Sequence, residues 1–157
     1  MSELSLEQRL DRTESRAALS DLMHRYAVLS DLHDMEGVSQ LFVEDVRSPV
    51  RQPDGSTKIE IGRAALRDWY QLAPKNERVH FVGNIVIDFI DADNAKGVVY
   101  TMSGGRISDN EWRTSTIKYQ DRYRRENGQW LFVSRKPSGF YSSKLQTEAT
   151  GSLMAGL

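Results

Sequence analysis

From Arg78 onward the apolar residues of this chain alternate in twos, whereas the helices before it carry them at helical intervals. Leu19, Leu22, Met23, Tyr26 and Ser30 fall on one mostly apolar stripe of a helix over residues 17–34. Asp21, His24, Arg25 and Val28 lie on or near its other side. A regular helix would carry Asp31 about 120° off the stripe, so an inward Asp31 predicts a helix end near Ser30. Upstream, Ser5 and Gln8 have capping-box spacing for a segment over 6–12, either separate from the main helix or continuous with it. Asp34 reads as the N-cap of a short helix over 35–42, with Met35, Val38, Leu41 and Phe42 in phase.

Pro49 makes a strand over 44–51 an edge or a bent one. Pro53-Asp54-Gly55 is a turn, and 58–61 is a second short strand. A third helix over 62–73 places Leu66, Trp69, Tyr70 and Ala73 on one face and stops at Pro74. Strands follow over 79–90, 95–106, 111–125 and 129–136, the last two joined by the hairpin turn Glu126-Asn127-Gly128. Gly83-Asn84 signals a bulge inside the first of them. Asn84 and Asp88 share the His80 face of that strand only if the bulge does not flip the alternation. Residues 138–157, small and polar, predict an extended tail packed on the body or on a neighbouring subunit. Helices first and a curled antiparallel sheet afterwards make an α+β fold. The expected shape is a cone-shaped barrel, its strongly curved sheet closed over a pocket by three or four N-terminal helices. The 157 residues fit one domain, with a core over about 6–137.

A net charge of −1 with scattered Arg and Lys argues against nucleic-acid and anionic-membrane partners. The absence of cysteine excludes disulfides, thiolate nucleophiles and zinc–thiolate sites, and three histidines are few for a metal centre. No apolar run has membrane length and the N-terminus lacks a signal-peptide core, so a cytoplasmic location is expected. Apolar surface on the convex side of an open curved sheet predicts a homo-oligomer.

The segments ALSDLMHRYAVLSDLHDMEGVSQLFVEDV, RVHFVGNIVIDF and KYQDRYRRENGQWLFVSRK resemble the SnoaL-like branch of the nuclear transport factor 2-like superfamily. Within it, the resemblance is to the scytalone dehydratase, bile-acid 7α-dehydratase and hexachlorocyclohexane dehydrochlorinase type. It implies a dyad of Asp31, at the end of the first long helix, and His80, on the first long strand. Tyr26 matches a tyrosine of the bile-acid enzyme, and Arg135 falls near a pocket-facing basic residue of the dehydrochlorinase. The second histidine of scytalone dehydratase has no match, since Met102 and Ser103 occupy that region. Trimers or dimers are the oligomers such relatives form.

The implied chemistry is elimination of water or halide from a small, largely apolar cyclic substrate without a cofactor or metal. His80 is the general base, Asp31 orients it, and Tyr26 is an electrophilic helper. Isomerisation and cyclisation are open to the same dyad. On pattern alone, a histidine in an apolar strand is usually structural, Asp31 is a plausible cap, and Tyr26 is a core residue. Trp69, Phe81, Trp112 and Tyr119 either line the cone or pack it, with Arg135 beside them as a substrate-binding candidate. His33 and Asp34, adjacent in a turn, are expected to face solvent. A non-catalytic ligand-binding module or structural subunit is the rival class: Asp31 within hydrogen-bond reach of His80 inside a cavity favours the enzyme, and a pocket filled by side chains favours the scaffold. An epoxide hydrolase of this fold would need several carboxylates and an arginine around one water, and the sequence shows no clear set.

Overall fold

The computed structural model describes residues 4–51, 54–72 and 75–146. Helix α1 (Leu6–Asp31) begins at Ser5, whose side chain accepts the Gln8 amide while the Gln8 side chain accepts the Ser5 amide. This closed cap lets the segment over 6–12 run straight into the main helix. The buried face comprises Ser15, Leu19, Leu22, Met23, Tyr26, Ala27 and Ser30. The helix ends near Ser30 as expected: Asp31 is its last residue, and the Leu32 amide still bonds the Val28 carbonyl at 3.0 Å. Asp31 nevertheless points inward because the buried arc is wider than the predicted stripe. Ala27, one turn earlier and about 40° away by helical geometry, is part of it.

Helix α2 (Met35–Gln40) starts at Asp34, which accepts the Gly37 amide at 2.8 Å. Strands β1 (Arg47–Arg51) and β2 (Thr57–Ile61) form a small antiparallel ladder, and helix α3 (Arg63–Gln71) follows Gly62 at φ 110°. The predicted roles of Pro53, Ala73 and Pro74 fall outside the described residues. A four-stranded meander completes the fold: β3 (Arg78–Phe89), β4 (Asn94–Ser108), β5 (Glu111–Glu126) and β6 (Gln129–Gln146), hydrogen-bonded in that order. The architecture is α+β, with three helices among the described residues.

The α+β class is the expected one, and the curved sheet stays open, with β3 and β6 as its edges. The β6 edge is instead covered by the chain leaving α2: the Val43 amide donates to Phe132 O, and the Phe132 amide to Leu41 O, both at 2.9 Å. The expected tail from 138 is partly strand, since residues 138–146 pair with the outer half of β5. Sixteen residues of β5 present more backbone donors and acceptors than a short partner would satisfy.

The β3–β4 register shifts between Val82 and Ile85, so a bulge flips the alternation. His80 and Val82 therefore share the concave face with Ile85, Ile87 and Phe89, and Asn84 and Asp88 are exposed on the other face. Helix α1 lies across that concave face. Arg16 donates to the Ile87 carbonyl at 3.1 Å, and Arg125 of β5 meets Asp11 at 2.6 Å. The core joins Leu19 and Met23 to Val38, Phe42, Val99, Tyr123 and Phe132.

Gly97 of β4 sits at a close approach of backbone and ring in this packing. A Cβ there would stand 2.8 Å from the Val86 carbonyl and 3.2 Å from the Tyr123 ring. Gly97→Ala is expected to destabilise the fold by about 1–3 kcal/mol, as overpacking does. Urea unfolding would read this as a lower midpoint, and an unchanged midpoint would contradict the packing described.

Candidate active site

Asp31 and His80 meet although 49 residues separate them. The His80 Nδ1 hydrogen bonds Asp31 Oδ1 at 2.5 Å, and the His80 backbone amide donates to Asp31 Oδ2 at 2.9 Å. One carboxylate thus holds both the ring and the backbone of the same residue. With a carboxylate oxygen as the acceptor, Nδ1 is the donor of this bond. Both side chains are largely but not fully enclosed, with His80 12% and Asp31 21% exposed. Ser103, the position without a second histidine, stands directly across the ladder from His80. It lines a shallow groove of about 580 Å³ together with Ser115 and Ile117.

Deeper in the cone, register pairs Asp121 of β5 with Arg135 of β6. Their side chains are 0% and 2% exposed, with Arg135 Nε 3.8 Å from Asp121 Oδ1. That contact is an ion pair without a hydrogen bond, and Arg135 Nε and Nη1 have no hydrogen-bond partner. The guanidinium lies against three aromatic faces: Tyr119 at 3.9 Å, Tyr26 at 4.3 Å and Phe132 at 4.9 Å from ring centroids. Tyr123 donates to the other Asp121 oxygen at 2.9 Å. The Tyr26 hydroxyl donates to that of Tyr70 on α3 at 3.1 Å. Burial raises the phenol pKa of Tyr26, Tyr70 and Tyr119, while the Arg135 charge opposes the rise in all three. Asp31 and Asp121 both act electrostatically on Tyr119, so the dyad and the arginine share one neighbourhood.

Of the sequence candidates, the structure gathers His80, Asp31, Tyr26, Tyr119 and Arg135 on the concave side. It does not bring Phe81 there: this residue alternates with His80 and is 67% exposed on the convex face. Trp112 has the same parity problem. It pairs with Arg106 across the ladder and takes that guanidinium over its ring at 5.5 Å, on the face opposite Tyr119. Trp69 is half-buried on α3, but its neighbour Tyr70 makes the inward contact.

His33 is not a solvent-facing partner of Asp34. Its backbone takes φ 57°, its Nδ1 accepts from Arg78 Nη2 at 3.0 Å, and its Nε2 donates to the Asn76 carbonyl at 2.9 Å. A cleft of about 500 Å³ opens between His33–Glu36 and Tyr70–Gln71, with Lys75 among its lining residues. The dyad is not on its wall; Tyr70 is the lining residue that continues inward to Tyr26. No three His, Asp or Glu side chains converge as metal ligands among the described residues. Asp121 was missed by sequence reasoning. Its available signal was position, since it alternates with Tyr119 and Tyr123 on the inward parity of β5.

A model of the SnoaL-like domain matches residues 11–136. Gamma-hexachlorocyclohexane dehydrochlorinase of Sphingobium indicum is 24% identical over 137 residues, which is 87% of each chain. A solved hexachlorocyclohexane dehydrochlorinase, LinA type 2, superposes with a TM-score of 0.76 at 20% identity, covering 93% of this chain and 99% of that one. A scytalone dehydratase-like protein from Novosphingobium aromaticivorans does so with a TM-score of 0.72 at 19% identity, covering 90% and 97%. At these identities the structural matches establish the fold.

Asp121 makes the site's surroundings sensitive to pH. Burial is the largest cause raising its carboxyl from 3.8 to about 6, against the opposing pull of Arg135 and the Tyr123 hydrogen bond. Between those values the folded protein holds the proton more firmly than the unfolded chain. This contribution to stability is complete below pH 4 and is lost as pH rises through about 6. Its size is on the order of 2–3 kcal/mol. The stability difference between the protein and its Asp121→Asn variant, measured by urea unfolding from pH 4 to 7, is expected to change by that amount. Parallel pH profiles would contradict it.

Proposed function

The chain belongs to the SnoaL-like domain family, and on that premise we propose that it is a cofactor-independent lyase. It removes water or halide from a small, largely apolar cyclic substrate. The observation that carries this reading is the Asp31–His80 clamp. A carboxylate bonded at Nδ1 fixes the tautomer, aims the ring, and stabilises the imidazolium that forms when Nε2 takes a proton. A pure scaffold has no need of a half-enclosed imidazole held in this way. The likeness to dehydrochlorinases and to a scytalone dehydratase-like protein supports the same class of chemistry.

In the proposed reaction His80 Nε2 removes a proton from a ring carbon. The C–H electron pair becomes the new double bond, and the leaving group departs from the neighbouring carbon with its bonding pair. A halide leaves as the anion, whereas a hydroxyl leaves as water by taking back the proton that His80 Nε2 has removed, which returns the imidazole to its neutral form. The buried cation of Arg135 and the tyrosine hydroxyls around it provide the positive end of the compartment. Asp31 keeps its hydrogen bond to the ring throughout and so holds the imidazole in one orientation.

The test is turnover on a panel of chlorinated and hydroxylated ring compounds that includes gamma-hexachlorocyclohexane, followed by chloride release and by mass loss of one water. On any compound turned over, Asp31→Asn and His80→Ala are each expected to lower kcat at least about 10³-fold, the scale of losing a general base or its orienter. Circular dichroism should remain that of the parent. Full turnover by both variants would end this reading.

A further inference from the structure

Helix α1 ends in a turn that ordinarily calls for glycine. The Asp34 amide donates to the Leu29 carbonyl at 2.9 Å, and the His33 amide to the Ser30 carbonyl at 3.2 Å. These two bonds make a Schellman motif, and the residue at its left-handed position, with φ 57°, is His33. Glycine takes that conformation freely, and a histidine does not. The side chain kept there is engaged at both nitrogens. Nδ1 accepts from Arg78 Nη2 at 3.0 Å, and Nε2 donates to the Asn76 carbonyl at 2.9 Å. Asn76 is itself anchored, its side chain donating to the Arg106 carbonyl at 2.9 Å.

This contact stands beside the dyad in a fixed order. His33 follows Asp31 by two residues and Arg78 precedes His80 by two, so two cross-links join the same two segments. The His33–Arg78 link exists only while the imidazole is neutral. Its two ring bonds need one tautomer, with a bare Nδ1 and a proton on Nε2. Arg78 has only donors to offer and keeps its charge. Burial lowers its guanidinium pKa, and the charge of Asp31 opposes that shift. A second proton on the His33 ring removes the acceptor and sets cation against cation. Histidine is the side chain that changes charge between pH 5 and 8, and His33 lines the 500 Å³ cleft.

The other charged and titratable groups around this ring are engaged elsewhere. Asp34 caps α2 through the Gly37 amide, Glu36 pairs with Arg67 at 3.1 Å, and Asp31 holds His80. Glu77 pairs with Arg106, Tyr70 bonds Tyr26, and Lys75 is exposed on the cleft wall. Among the described residues, none of these carboxylates bonds the His33 ring to compensate an added proton.

We propose that His33 is a positioning residue for the Asp31–His80 dyad: neutral, it holds Arg78 and with it the start of β3, and protonated, it releases both and loosens the dyad. The dyad is the site on which the elimination reading rests, but this inference concerns its geometry and needs no substrate. A failure of one therefore does not carry over to the other.

The test is hydrogen exchange of the His80 backbone amide, which donates to Asp31. It is followed by NMR in the full chain from pH 5 to 7.5 and corrected for the intrinsic exchange rate at each pH. The parent is expected to lose protection about tenfold or more as pH falls, the scale of one hydrogen bond to a charged group. Asparagine suits left-handed backbone and offers an acceptor that does not titrate, so His33→Asn should keep the parent's pH 7.5 protection down to pH 5. His33→Ala lacks the acceptor and should show about tenfold lower protection than the parent at pH 7.5, flat with pH. Protonation of His80 or Asp121 acts in the opposite direction, tightening the dyad or the fold as pH falls, and is common to every variant. If His33→Ala does not fold, Arg78→Met removes the cation that the protonated ring would face, and its pH dependence should vanish as well. The inference is overturned by parent protection that stays flat with pH, by a His33→Asn profile that follows the parent's, by His33→Ala with the parent's protection at pH 7.5, or by Arg78→Met that keeps the pH dependence.

Discussion

One carboxylate connects the two halves of this molecule where the chemistry is proposed to occur. Asp31 ends the first helix and spends both oxygens on His80, one on the ring and one on the backbone. The two contacts do different work. The backbone contact ties the start of β3 to the end of α1, so the strand enters the sheet at a fixed height. The ring contact then orients an imidazole whose backbone is already pinned. Neither partner is fully enclosed, so the clamp holds its geometry without sealing the nitrogen opposite.

The second organising feature is a buried cation. A guanidinium with 2% exposure and no hydrogen bond to its counter-ion would be hard to tolerate in an aliphatic core. Here three ring faces replace part of its hydration, and Asp121 balances its charge from across the ladder. Gly97 serves the same arrangement at a distance. With no side chain there, the Tyr123 ring reaches the position from which its hydroxyl bonds Asp121. The cation is thus enclosed by residues of α1, β5 and β6, and helix α3 backs it through the Tyr70 hydroxyl that bonds Tyr26.

Much of this was legible in the sequence because it follows from periodicity. The change from helical spacing to alternation near Arg78, the Asp34 cap and the hairpin turn at Glu126-Asn127-Gly128 each reflect local geometry. The meeting of Asp31 and His80 was legible only through family resemblance, since no local rule reaches across 49 residues. What failed did so for identifiable reasons. Phe81 and Trp112 are aromatics that the sequence offers to the site, but strand parity sets their faces, and residue type carries no parity. His33 was read as a turn residue facing solvent, yet the chain delivers Asn76 and Arg78 onto it from beyond α3. Asp121 was overlooked because a charged residue in a strand looks solvated until its cross-strand partner is known.

The bulge in β3 has a consequence for how this chain can change. His80 lies before it and Ile85, Ile87 and Phe89 after it, and all four face inward only because an odd number of positions is absorbed between them. The segment behaves like a gear with a single offset tooth. Losing or gaining one residue between 80 and 85 would turn either the imidazole or three core side chains to the outside, whereas a change of two would leave both sets in place. Length variation at this point of the strand is therefore confined to even steps.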